Sequence, residues 1–167
     1  MTTQPVYPDL KGASVFITGG GSGIGAALTE AFLRQGARVA FVQRSDATAF
    51  CDDMEAATGN RPRFTACDIT DPDALTAAIA EASDAYGRVQ VLVNNAANDQ
   101  RHTLDEVTPD VMDWSLAINF RCYLTAIQAV APAMRAAGKG VIINLTSSTL
   151  AGLAAARALM PRSAAHS

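Results

Sequence analysis

Five short apolar runs, each followed by a stretch with helical spacing, constrain this chain more than anything else in it. The runs cover 13–18 (ASVFIT), 38–42 (RVAFV), 63–67 (RFTAC), 89–93 (VQVLV) and 140–145 (GVIINL). They favour β-branched and aromatic residues and are nearly continuous in apolar character, as strands buried on both faces are. After the first run, Ile24, Leu28, Ala31 and Phe32 recur at helical spacing, and Gly36 stops that helix. Asp46 is the expected cap of a second helix ending near Gly59, and Asp71 with Pro72 opens a third that Gly87 closes. Thr108 and Pro109 open a long helical region reaching Ala137, expected in two pieces, with Gly138 ending it. Strands separated by helices join as right-handed βαβ units, which build a parallel sheet covered on both faces. Ligands of such sheets sit at the carboxyl ends of the strands, at the switch point between the two halves.

A chain of 167 residues, 49% hydrophobic, reads as one domain spanning 1–167. Its net charge of −3 and the lack of a basic patch argue against nucleic acid as a partner. No apolar run reaches membrane-spanning length, and the first residues lack the pattern of a secretory leader. Cys51, Cys67 and Cys122 are odd in number and far apart, with no CxxC pair, so reduced thiols in the cytoplasm are expected. With His102 and His166 as the only histidines, no metal site is expected.

The segment TGGGSGIG, Thr18 to Gly25, links the first strand to the first helix. Gly19 permits a turn, Gly23 lets backbone approach a pyrophosphate, and Gly25 lets the helix pack close to the strand. The N–H groups near Ser22, Gly23 and Ile24 then face the phosphates, aided by the helix dipole. No GK[ST] follows, which disfavours a Walker-type nucleotide site. The expectation is an α/β, Rossmann-like doubly wound parallel sheet of five strands in the order 3-2-1-4-5.

This loop resembles that of the short-chain dehydrogenases/reductases, and further motifs match in order: CDIT with Asp68, NNAA from Asn94 to Ala97, AINF with Asn119, and INLTSS with Ser147. The resemblance runs from about residue 10 to residue 148; residues 149–167 form an atypical tail. It implies an NAD(P)-dependent oxidoreductase that moves a hydride between nicotinamide and an alcohol or carbonyl carbon. It also implies cofactor contacts from Thr18, Gly19, Ser22, Gly23, Ile24, Gly25, Asp68, Ile69, Asn95, Ala96 and Ala97, and catalytic roles for Asn119 and Ser147. Ala97 stands where the family usually has glycine. Each residue also has a plainer reading: Asp68 bracing a turn, Asn95 tying strands together, Asn119 marking the helix kink, Ser147 as an ordinary turn hydroxyl.

The lead YPDLKG and the stretch NNAANDQRH are similar to a subgroup that oxidises aldose sugars at C1. That implies substrate contacts from Asn98, Asp99, Arg101 and His102. The cofactor is expected to be NADP or NAD, with a slight preference for NADP. No carboxylate ends the second strand, where Gln43 stands, and the Arg44 guanidinium can clamp a 2′-phosphate; its alternative is a solvated side chain. Ser22 takes the position of the family's second basic residue.

The family's proton transfer uses a tyrosine with a lysine four residues later, a dozen or so residues beyond the serine. Of three tyrosines and two lysines, Tyr7, Lys11, Tyr86 and Lys139 are expected at the wrong edge of the sheet. Tyr123 alone is expected near the site, on the face of Asn119, without a lysine. The chain is therefore expected to look C-terminally truncated, incomplete relative to the family fold, and inactive or nearly so; a non-catalytic NAD(P)-binding or interaction protein is the alternative. The Ala-, Arg- and Pro-rich tail fits a shifted reading frame of GC-rich DNA, a short isoform or a shortened form. Relatives are usually homo-oligomeric; this chain is expected to be prone to aggregation.

Overall fold

The computed structural model describes residues 5–146; Ser147 and the tail lie outside the described residues. Within them, five parallel strands form one sheet in the order β3-β2-β1-β4-β5, as expected. The strands are β1 (Ser14–Thr18), β2 (Arg38–Gln43), β3 (Arg63–Ala66), β4 (Val91–Asn94) and β5 (Val141–Asn144). Three helices, α1 (Gly23–Arg34), α2 (Thr48–Thr58) and α3 (Pro72–Tyr86), carry the first crossovers. The fourth runs through α4 (Pro109–Leu116), a π turn (Ala117–Arg121) and α5 (Cys122–Ala136).

Alternation along the strands assigns each face its helices. Val15, Ile17, Val39, Phe41 and Val93 pack with Leu33 of α1 and Cys51 of α2. Phe16, Ala40, Val42 and Leu92 point the other way, toward Leu75 and Ile79 of α3 and Ala126 and Val130 of α5. The central strand β1 is buried at every position. Burial of a large apolar side chain such as Phe16, Phe41 or Leu92 contributes roughly 1.5–3 kcal/mol each.

Local signals account for most helix ends. The Asp71 carboxylate accepts from the N–H groups of Asp73 (3.0 Å) and Ala74 (3.1 Å), with Pro72 in the first turn, and Gly87 leaves the helix at φ 80°. Thr108 accepts from Val111 N–H at 3.3 Å to start α4. The two expected pieces of the long region are joined by the π turn rather than broken, and Gly138 follows with φ 61°.

Three details differ from expectation. In α1 the buried line is Gly25, Thr29 and Leu33, while Ile24 is 67% exposed and Ala31 is exposed too. The helix is seated on its smallest residue, which rotates the apolar stripe. Asp46 stands one residue before the cap position, held by Ala47, and accepts from Thr48 N–H (3.1 Å) and Oγ1 (2.7 Å). The fourth strand begins at Val91 rather than Val89, although Gln90 already bonds Ser14 and Val141 on either side.

Candidate functional site

Where β1 and β4 part company, their connections leave toward opposite faces, and a cleft of about 610 Å³ opens at the carboxyl ends of the strands. Such a volume lies in the range of ligand pockets, about 300–1,000 Å³. The glycine loop forms its floor. Gly19 turns at φ 70°, and its N–H donates to Val42 O at 2.7 Å. A Cβ on Gly25 would lie 1.8 Å from Gly19 O, so only glycine lets α1 start this close to the strand. A Cβ on Gly23 would meet nothing within 4 Å. The Ser22 cap residue makes no side-chain cap bond, so the first N–H groups of α1 keep the positive character of an open helix end. Those features suit a bound anion.

One wall comes from the β4 end. Asn95 Nδ2 donates to Thr18 O and Gly19 O, both at 3.0 Å. The Thr18 hydroxyl accepts the N–H groups of Asn95 and Ala96, each at 3.0 Å. Asn95 therefore does tie the strands together, and its neighbours Ala96 and Ala97 border the cleft. Thr18, fully buried, organises this wall from behind rather than facing the cavity.

The opposite wall carries charge. Asp68 Oδ1 accepts from Thr70 N–H (2.9 Å) and Oγ1 (2.8 Å). Those two bonds hold its carboxyl below the usual range, burial opposes them, and the nearby Arg44 charge, the least of these effects, lowers it too. The turn-bracing role of Asp68 is thus real, and Asp68, Ile69 and the exposed Arg44 all border the cleft. Of the residues expected to hold a cofactor, every one except Thr18 borders the cleft.

The region where substrate contacts were expected is only partly assembled among the described residues. Asn119 lies in the π turn, where Oδ1 accepts Asn98 N–H at 2.9 Å and Nδ2 donates to Asn98 O at 3.1 Å. Nδ2 also reaches Ser115 Oγ at 3.3 Å. Asn119 thereby clamps the loop after β4, and Asp99 and Ile118 rather than Asn98 border the cleft. Arg101 and His102 are exposed and do not border it.

The tyrosines fall as follows. Tyr7 N–H donates to Gln35 Oε1 at 2.9 Å, and Tyr86 lies under the Arg38 guanidinium at 5.8 Å, both at the amino edge of the sheet. Lys11 packs beside Gly36 at the same edge, and Lys139 precedes β5. Tyr123, expected near the site, does not border the cleft. It is a core residue whose hydroxyl donates to Leu145 O at 3.2 Å, with its pKa raised by burial and then by Cys122. Cys67 borders the cleft, but burial raises its pKa and keeps it a thiol.

Sequence reasoning missed Gln43 as a contact to the loop, and it missed the packing of Gly20 and Gly21. The run of three glycines was the available signal, since the turn itself requires only one.

Fold and cleft define a Rossmann-like α/β protein with an anion-suited glycine loop at its switch point. Residues 13–164 match the short chain dehydrogenase family, and the chain belongs to it. It is 49% identical over 143 residues to a probable galactose dehydrogenase of Rhizobium meliloti, a match covering 84% of this chain and 56% of that protein. Identity to the D-xylose 1-dehydrogenase of Caulobacter vibrioides is 46% over 146 residues, covering 87% and 57%. A solved metagenomic short-chain oxidoreductase in complex with NADP superposes with a TM-score of 0.78 at 36% identity, covering 86% of this chain and 65% of that one. The chain spans about half the length of the curated relatives it matches.

Proposed function

We propose that this chain binds NADP or NAD in the switch-point cleft, and that it derives from a dehydrogenase acting on a small polyhydroxylated substrate, an aldose above all. The observation that carries this reading is the glycine loop: an uncapped helix start beside a glycine whose side-chain space is empty, opening into the cleft. In this reading the N–H groups of Ser22, Gly23 and Ile24 hold the pyrophosphate, and Asp68 and Ile69 the adenine. Arg44 faces the 2′-phosphate of NADP. Asn95, Ala96 and Ala97 line the nicotinamide ribose, and Asn119 with Ser147 serves the reacting end. When bound, the nicotinamide supplies the hydride acceptor or donor. The sugar assignment rests on the two sugar dehydrogenases above.

No tyrosine or lysine borders the cleft among the described residues. We therefore assign this polypeptide dinucleotide binding with turnover near background, since loss of a general acid or base typically costs about 10²–10⁴-fold. The three cysteines are free and buried, which agrees with a cytoplasmic setting. No helix among the described residues is long and apolar enough to cross a membrane.

Fluorescence titration with NADPH and NADH tests the binding, and an assay of D-galactose and D-xylose oxidation tests the turnover. Saturable binding, tighter for NADPH, with background oxidation is the expected result. Failure to bind either dinucleotide would overturn the site, tighter NADH would overturn the role of Arg44, and ordinary turnover would overturn the assignment of low activity.

A further inference from the structure

Gln43, the last residue of β2, has its amide committed to protein on both sides. Its Oε1 accepts the Gly21 N–H at 3.0 Å. Its Nε2 donates to Ser45 O at 3.0 Å and to Ser45 Oγ at 3.2 Å. The fit is close: a Cβ on Gly21 would lie 2.4 Å from Gln43 Oε1. The neighbouring Gly20 is fixed just as firmly. Its carbonyl accepts from the Thr29 hydroxyl at 2.8 Å, and a Cβ there would lie 2.4 Å from Phe41 Cβ. The middle of the glycine loop is therefore anchored to β2 on one side and α1 on the other by groups of this chain alone.

We infer that Gln43 is a positioning residue, which sets the glycine loop through Gly21 and ties it to the 43–45 turn that carries Arg44. Pyrophosphate cradle and ribose-facing guanidinium are then held in fixed relation before any dinucleotide arrives. The role needs an amide, because one end must accept from Gly21 and the other must donate to Ser45. A carboxylate of the same length keeps the first bond and loses the second; a hydrocarbon loses both. Gln43 borders the cleft, yet it acts through the loop instead of as a ligand to the ribose. This inference rests on the dinucleotide reading of the cleft.

The test is amide hydrogen exchange at single residues in the ligand-free full chain, followed by NADPH and NADH titrations of the same samples. In Gln43→Met the Gly21 amide is expected to exchange about fivefold faster or more, the worth of an ordinary hydrogen bond. Both dinucleotides should weaken, because they share the pyrophosphate. In Gln43→Glu the Gly21 amide should stay protected while the amides of 44–46 exchange faster. Unchanged Gly21 exchange in the Met variant would overturn the inference, and so would weakening of one dinucleotide alone. If the Met variant does not fold, the Glu variant decides: parallel loss of protection at both segments, or at neither, refutes the role. Should the unmodified chain bind no dinucleotide, the proposed function fails, whereas the exchange data still decide what Gln43 does.

Discussion

At the scale of single residues, Gly23 and Gly25 lie two positions apart in one loop and carry opposite expectations. Alanine at 25 would drive its methyl into Gly19 O, with the built Cβ only 1.8 Å away, so Gly25→Ala should unfold the β1–α1 junction and much of the protein with it. Alanine at 23 meets empty space and bears only the strain of φ 53°, about 1–2 kcal/mol. Gly23→Ala should therefore remain folded by circular dichroism while losing dinucleotide affinity by tenfold or more in fluorescence titration. Both roles were readable because they follow from the spacing of a local motif. The bond from Gly21 to Gln43 was not, since nothing local says that β2 ends beside the loop. Asp68 adds a pH expectation. Its pKa is lowered by the Thr70 bonds first, so its contribution to stability is present above the ordinary carboxylate value of 3.8 and is lost as pH falls through the lower folded value. Asp46 and Glu106, lowered by bonds to Thr48 and Thr103, act in the same direction. Urea midpoints should be flat from pH 7 to about 5 and fall below about 4, and Asp68→Asn should flatten that acid limb.

At the scale of elements, one hydroxyl satisfies two backbone groups where β4 leaves its pairing with β1. Thr18 Oγ1 accepts two N–H groups in a fully buried position. Thr18→Val keeps the shape and strands both donors, at a cost of about 2–6 kcal/mol, from about 1–3 kcal/mol for each unmet group. Thr18→Ser keeps the acceptor and should recover most of that loss; thermal unfolding of the two variants checks it. Helix ends were legible where the signal is local, as with Asp71, Pro72 and Gly87 around α3. The buried face of α1 was not. Its contact is made by Gly25, which hydropathy scores as nothing, and Ile24 is left exposed on the cleft. The π turn is invisible to periodicity too. It lies just where Asn119 turns to clamp Asn98.

At the scale of the whole molecule, strand order was legible because handedness and burial leave few ways to connect five apolar strands. The uncharged apolar edge at 140–145 was legible as well; which helix residues remain uncovered was not. Along α4, the π turn and α5, Met112, Leu116, Phe120 and Leu124 repeat every four residues and are all exposed. In β5, Val141, Ile142 and Ile143 are 51%, 37% and 40% exposed, and the strand forms the edge of the described sheet with no charged residue in it. A contiguous apolar surface and an uncharged edge both favour contact with another copy. Covering a half-exposed leucine such as Leu124 adds roughly 1 kcal/mol, half the worth of full burial, and several such residues acting together outweigh the weak net charge of −3. The protein should therefore associate as its concentration rises, eluting progressively earlier in size-exclusion chromatography. Met112→Gln with Leu124→Gln should shift the helix-mediated species toward monomer, and Ile143→Lys should suppress association through the strand edge. Neither change touches the cleft, so dinucleotide titration of the same variants should be unaltered. A single elution position across a hundredfold range of concentration would show that these faces do not attract one another.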